Sequence, residues 1–306
     1  MTMRPAYGNI LINEKTSSGI SENRPVKIKD RFSAPELTGG NMEHSRLYEL
    51  LELPDEVIQE LNAYAGTKKD RFRISREDLI NDKEIVEKLD KMISDHVGED
   101  PDGIKTLWED LNIAILSFGE YQKKGIPVSI FTDTMKFCTR FLSEHHKTYG
   151  CYRFPWGWWF PRQLSLREFR IGALEYEYEK EECIQIHIPS DADLSPQSVQ
   201  SSLSLFQDFC RQYYPLWENL EMRCESWLLS PALKNILPDG SNILAFQKLF
   251  DITETDYGST AVLDWVFPGF HDISENLPEN TSLQASMKRY LLEGKKIGWS
   301  KGILRE

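Results

Sequence analysis

The spacing of apolar residues changes once along this chain, and that change limits what the chain can fold into. Up to about Gly150 they recur every three or four residues, the repeat of helices that each bury one face. Val57, Ile58, Leu61 and Tyr64 follow this repeat after Pro54, and Ile85, Leu89, Met92 and Ile93 follow it again. Asn81, three residues before Glu84, reads as the N-terminal cap of that second helix, and Gly98 as its end. Leu107, Leu111, Ala114, Ile115 and Phe118 make the next stripe, which stops at Lys123-Lys124-Gly125. There glycine suits the left-handed position after a helix and the lysines oppose its dipole. Phe131, Met135, Cys138 and Leu142 form a fourth stripe.

At Cys151 the character shifts. CYRFPWGWWFPRQ holds too much proline and too many large rings for a helix interior, so the junction between two halves is placed here. Period-two patterns follow. In REFRIGALEYEY, residues 167 to 178, Phe169 and Ile171 share one phase while Leu174, Tyr176 and Tyr178 share the other. The slip at Gly172-Ala173 predicts a bulge. A charged turn, Glu179 to Glu182, leads into CIQIHIP, where Ile184, Ile186 and Ile188 oppose Cys183, Gln185 and His187. The pair reads as a β-hairpin.

A helix with clear signals comes next. Ser195 caps it, Pro196 fits its first turn, and Val199, Leu203, Phe206, Cys210 and Tyr213 give it one buried face. A strand is predicted over 222–228, then a short helix near 231–237, a helical stretch over 241–250 and a mixed final segment. The reading is therefore α+β: an extended or poorly ordered arm over residues 1–42, a helical domain over 43–150, and a mixed-sheet domain with flanking helices over 151–306.

Composition narrows the function. Among 306 residues, 40% are hydrophobic, enough for a sizeable core. A net charge of -12, from 48 acids against 36 bases, argues against nucleic acid or an anionic membrane surface as partner. Five cysteines without a CxxC pair read as reduced thiols, and the six histidines show no HExxH spacing, so no metal is expected. The opening MTMRPAYGNILINEK lacks a signal-peptide apolar run, and no window reaches the roughly 18 apolar residues of a membrane span, so a cytoplasmic location is expected.

WWFPRQLSLREFRIGALEYEY, IHIPSDADLSPQSV, CESWLLSPAL and SNILAFQKLF, in this order, resemble bacterial acyltransferase-domain proteins, as does the earlier KKGIPVSIFTDT. Those proteins pair an N-acyltransferase-type N-terminal domain with a GNAT-like C-terminal domain. The resemblance implies an acyl thioester, acetyl-CoA or another acyl-CoA or an acyl carrier protein, held where strands 183–189 and 222–228 splay apart, and a small-molecule amine as acceptor. It implies that backbone around Ile188, Ser190, Ala192, Ser195 and Ser198 holds phosphate at a helix start, and that Asn242 lies near the donor arm. The family's glycine loop, Q/R-x-x-G-x-G/A, is replaced here by SDADLSP, where Asp191 and Asp193 repel an anion.

Within that frame His187 is the candidate general base, since an imidazole titrates near neutral pH. Ser226, in phase with Cys224, is a candidate hydrogen-bond donor looking into the same splay, and Glu225 alternates to the opposite face. Cys224 reads as packing, with no histidine spaced to activate it. Trp156, Trp158 and Trp159, flanked by Arg162, either line an acyl tunnel or stack on a sugar ring, or form a hydrophobic plug between the halves. A rival reading keeps the GNAT-like fold without turnover, as a small-molecule or peptide binding module. A carbohydrate-active protein using the tryptophans is a third, for which the sequence offers no paired carboxylates.

Overall fold

A computed structural model describes residues 42–67, 70–179 and 183–305. The arm expected over residues 1–42, apart from Met42, and most of the charged turn Glu179 to Glu182 lie outside them. The chain divides between Ile171 and Gly172 into two compact units.

The N-terminal unit holds α1 (His44–Leu51), α2 (Asp55–Thr67), α3 (Arg76–Asn81), α4 (Ile85–Val97), α5 (Ile104–Lys124), α6 (Val128–Met135), α7 (Phe137–Tyr149), the single turn α8 (Pro161–Leu164) and strand β1 (Glu168–Ile171). Its centre is α5, whose stripe of Leu107, Leu111, Ala114 and Phe118 is buried. Gly125 ends it at φ +71°, with the Gly125 and Ile126 N–H groups donating back to Gln122 and Tyr121. Phe131 of α6 meets Phe118 and Tyr121 edge to face, with centroids 4.9 and 5.2 Å apart. Phe160 stacks on Phe137 and Trp156 on Phe141, both of α7. These stacks place the aromatic segment after Cys151 in the helical unit, so the contacts divide the chain later than its composition changes.

Asn81 is the last residue of α3 and caps nothing. Ser75 caps α3 by accepting from the Asp78 N–H, and α4 starts behind Glu84 without a side-chain cap. Asp82 instead accepts from the Glu84 N–H at 2.9 Å, taking the role assigned to its neighbour.

The C-terminal unit contains β2 (Leu174–Tyr178), β3 (Ile184–His187), α9 (Pro196–Tyr213), β4 (Met222–Ser226), α10 (Asn242–Gln247), β5 (Phe250–Asp256), α11 (Ala261–Val266), α12 (Ser282–Leu292) and β6 (Trp299–Leu304). Its strands run in the order β2-β3-β4-β6-β5. The β3–β4 pair is parallel and the other pairs are antiparallel. A mixed sheet with flanking helices follows the helical region, as the sequence predicted.

Two details differ from expectation. The predicted bulged strand 167–178 is two strands, because Gly172 adopts φ +67° and turns the chain. A Cβ at Gly172 would also lie 3.2 Å from the Ser202 backbone. The strands predicted over 183–189 and 222–228 are shorter. Pro189 lacks an N–H for the ladder, and Trp227–Leu229 curls into a 3-10 turn after Ser226.

Helix α9 covers one face of this sheet. Tyr176 of β2 stacks on Phe206 of α9 with centroids 3.9 Å apart and planes 4° from parallel, and its hydroxyl shares a hydrogen bond with Ser202 Oγ at 2.9 Å. Burial holds the Tyr176 phenol well above its ordinary pKa. Such a ring pair is worth about 0.5–1.5 kcal/mol beyond the area it buries.

Candidate active site

His187 is the last residue of β3, and its position follows from register. The parallel ladder matches Ile184 with Met222, Gln185 with Arg223 and Ile186 with Cys224, and ends there. Strand β4 continues, paired with β6 as far as Ser226 and Ser300. The ladder between the two parallel strands therefore ends one residue before His187.

Residues opposite one another in a ladder share a face. The Gln185–Arg223 match thus sets Glu225 on the face of His187, and the Ile186–Cys224 match sets Ser226 on the isoleucine face. This reverses the sequence assignment of Glu225 and Ser226. Two strands can be phased separately from sequence, but their relative phase requires the register.

The His187 Nε2 lies 2.9 Å from Glu177 Oε2, and both side chains are largely buried. The hydrogen bond to the carboxylate orients the imidazole ring. Glu177 went unrecognised in the sequence, although a signal existed: it alternates in phase with Glu175 on a strand predicted to pair with the one bearing His187. Glu225 is 42% exposed and lies 3.6 Å from Lys301 Nζ, which sits equally far from Glu254.

Ser226 Oγ accepts from the Leu228 N–H at 3.1 Å and starts the 3-10 turn. Beside it, burial and then the neighbouring Glu225 charge push the Cys224 thiol far up, away from the thiolate form.

The loop after β3 carries the residues matched to phosphate binding. Ala192 N–H donates to the Pro189 carbonyl at 2.9 Å. Asp193 accepts from both the N–H and the hydroxyl of Ser195, at 2.9 and 3.0 Å, and Ser195 Oγ accepts from the Ser198 N–H. Pro196 has no N–H to offer. The start of α9 therefore has most of its donors engaged by its own chain, with Asp193 in the position an anion would take. Ile188 and the buried Ser190 lead into this loop. Asn242 opens α10, whose cap is Ser241.

In the N-terminal unit, Trp156 is buried between Phe141 and Trp158. Trp159 meets Trp158 edge to face, donates its indole N–H to the buried Glu168 and lies under the Arg162 guanidinium at 4.2 Å. Gln163 also donates to Glu168, at 2.7 Å.

The model of the N-acyltransferase N-terminal domain matches residues 42–166, and that of the GNAT-like C-terminal domain matches residues 168–304. This chain belongs to the N-acyltransferase-domain family. Compared with curated proteins, this family member has no match. Among solved structures it resembles an acyltransferase in complex with decanoyl-CoA, at 21% identity and TM-score 0.66, over 85% of this chain and 86% of that one. It also resembles an acyltransferase in complex with CoA and 10C-teicoplanin, at 19% identity and TM-score 0.69, over 85% and 87% of the two chains. A third likeness, at 18% identity and TM-score 0.68, covers 90% and 92% of the chains and is to an acyltransferase with decanoyl-CoA and teicoplanin. At these identities the N-acyltransferase-domain protein shares their fold. No helix among its described residues is long and apolar enough to cross a membrane.

Proposed function

We propose that this protein is an N-acyltransferase that moves an acyl group from an acyl-CoA to a small-molecule amine. The observation carrying this reading is the end of the β3–β4 ladder just before His187, with the Glu177 carboxylate on the imidazole. A thioester lying where that ladder ends meets the backbone of both strands. The His187 imidazole takes a proton as the amine nitrogen attacks the thioester carbonyl carbon. The C–N bond forms, the C–S bond breaks, and the proton passes to the departing thiolate, giving amide and free thiol. Acyl-CoA is the donor class because structures of the same fold hold CoA or decanoyl-CoA. An amine on a small acceptor fits the family, and two such structures also hold a teicoplanin.

The test is thiol release. Acetyl-, octanoyl- and decanoyl-CoA are each supplied with a panel of amines, and amide formation is followed by mass. Turnover that disappears in His187→Ala supports the reading. Equal thiol release by wild type and His187→Ala would overturn it.

One observation favours a second reading, a binding module without turnover. Asp193 occupies the start of α9, where the family resemblance seats a pyrophosphate. That reading expects stabilisation by a ligand without amide product.

A further inference from the structure

A recess lies wholly within the N-terminal unit and uses none of the residues proposed for acyl transfer. Its volume is about 840 Å3, and its lining includes His44, Arg71, Phe72, Arg73, Asn112 and Ile115. That size suits a small organic molecule.

The segment bearing the two arginines is held by its backbone. Phe72 N–H donates to Oε2 of Glu109, a fully buried carboxylate, at 3.1 Å. Just beyond, Ser75 caps α3, and Arg76 pairs with Glu120 at 3.1 Å. Arg71 and Arg73 flank the pinned residue, and among the described residues neither has an ion-pair partner. By contrast, Arg76 is paired with Glu120, Lys88 with Glu84 and Lys91 with Asp95.

The surroundings are also ordered. The Arg71 guanidinium lies 5.5 Å from the Trp108 ring centroid. His44 stacks on the same indole at 6.2 Å and 11°, with its Nε2 held 2.8 Å from Asn112 Oδ1. Guanidinium groups on a fixed backbone lose little freedom when they take up a carboxylate or phosphate, and their forked donors match either. Glu43 and Asp70 also line the recess, which disfavours a polyanion and leaves a ligand with one compact anionic group.

We propose that this recess binds a small organic anion, with Arg71 and Arg73 receiving its carboxylate or phosphate and Phe72 and Ile115 meeting its apolar body. Benzoate, phenyl phosphate, inorganic phosphate and neutral benzyl alcohol are titrated into the full-length protein by calorimetry and thermal shift. Benzoate or phenyl phosphate binds, and benzyl alcohol does not. The stronger of the two anions identifies the group recognised. Arg71→Gln/Arg73→Gln weakens that binding at least tenfold while its circular dichroism stays that of wild type, and Arg71→Lys/Arg73→Lys weakens it less. Absence of binding by all three anions would overturn the proposal. So would unchanged affinity in the glutamine variant.

Discussion

His187 bonds to Glu177, two residues along the partner strand from Glu175, which lies directly opposite it. The contact is a diagonal across the hairpin, within reach only of long side chains. Aspartate at 177 would fall short. This geometry makes Glu177 a positioning residue for the proposed base, acting through the imidazole.

Glu177→Gln lowers kcat about 10- to 100-fold and leaves the KM for the acyl donor unchanged. His187→Ala lowers kcat/KM by about 100- to 10,000-fold. In the double variant the losses do not add, because the carboxylate acts only through the ring. Steady-state kinetics on the three variants checks this. A KM effect without a kcat effect in Glu177→Gln contradicts a positioning role.

Ser226→Ala tests the reassigned face. Its hydroxyl caps a 3-10 turn, so its loss costs about 1 kcal/mol of stability, by analogy with helix caps. The measurement is denaturant unfolding beside kcat, and kcat stays within twofold of wild type.

Asp193→Ala removes a charge from the start of α9 and frees the Ser195 N–H. If the donor's phosphates seat there, KM for acyl-CoA falls roughly fivefold, the equivalent of about 1 kcal/mol of surface repulsion. Pantetheine thioesters, which lack the pyrophosphate, show no change. A fall in KM shared by both donors contradicts the assignment.

Asp110 yields a pH prediction. It is fully buried in α5, and neither carboxylate oxygen has a hydrogen-bond partner among the described residues. Burial, then the charges of Asp90, Glu109 and Asp100, holds its pKa well above the ordinary carboxylate value. The folded protein keeps this proton at pH values where the unfolded chain has lost it. Its contribution to stability therefore falls as pH rises from about 4 toward the folded pKa. Asp110→Asn has no such loss. Thermal unfolding of the variant exceeds that of wild type at pH 7, and the two curves converge as the pH approaches 4.

Much of this was legible in the sequence for local reasons. Ser195-Pro196 with its run of apolar residues marked α9, and Gly125 after two lysines marked the end of α5, since caps and stripes depend on neighbours along the chain. The parallel neighbours β3 and β4 were expected from family likeness, and His187 was singled out from its place on one of them. What escaped needed contacts between distant segments. Glu177 becomes a partner only through the β2–β3 register, and Ser226 faces the isoleucines only because Ile186 meets Cys224. Asn81 is a good cap in isolation, but it ends α3, and Asp82 accepts from the Glu84 N–H in its place.

The register has a further consequence. Through β2, β3, β4 and β6 the odd-numbered residues, among them Glu175, Glu177, Gln185, His187, Arg223, Glu225 and Lys301, share one surface. The even-numbered ones, from Tyr176 through Ile186 and Cys224 to Gly302, share the surface on which α9 lies. Packing on α9 and the proposed chemistry are thus divided by parity. If the proposed site is right, substitutions at odd positions retune it while the even positions keep the sheet attached to its helix.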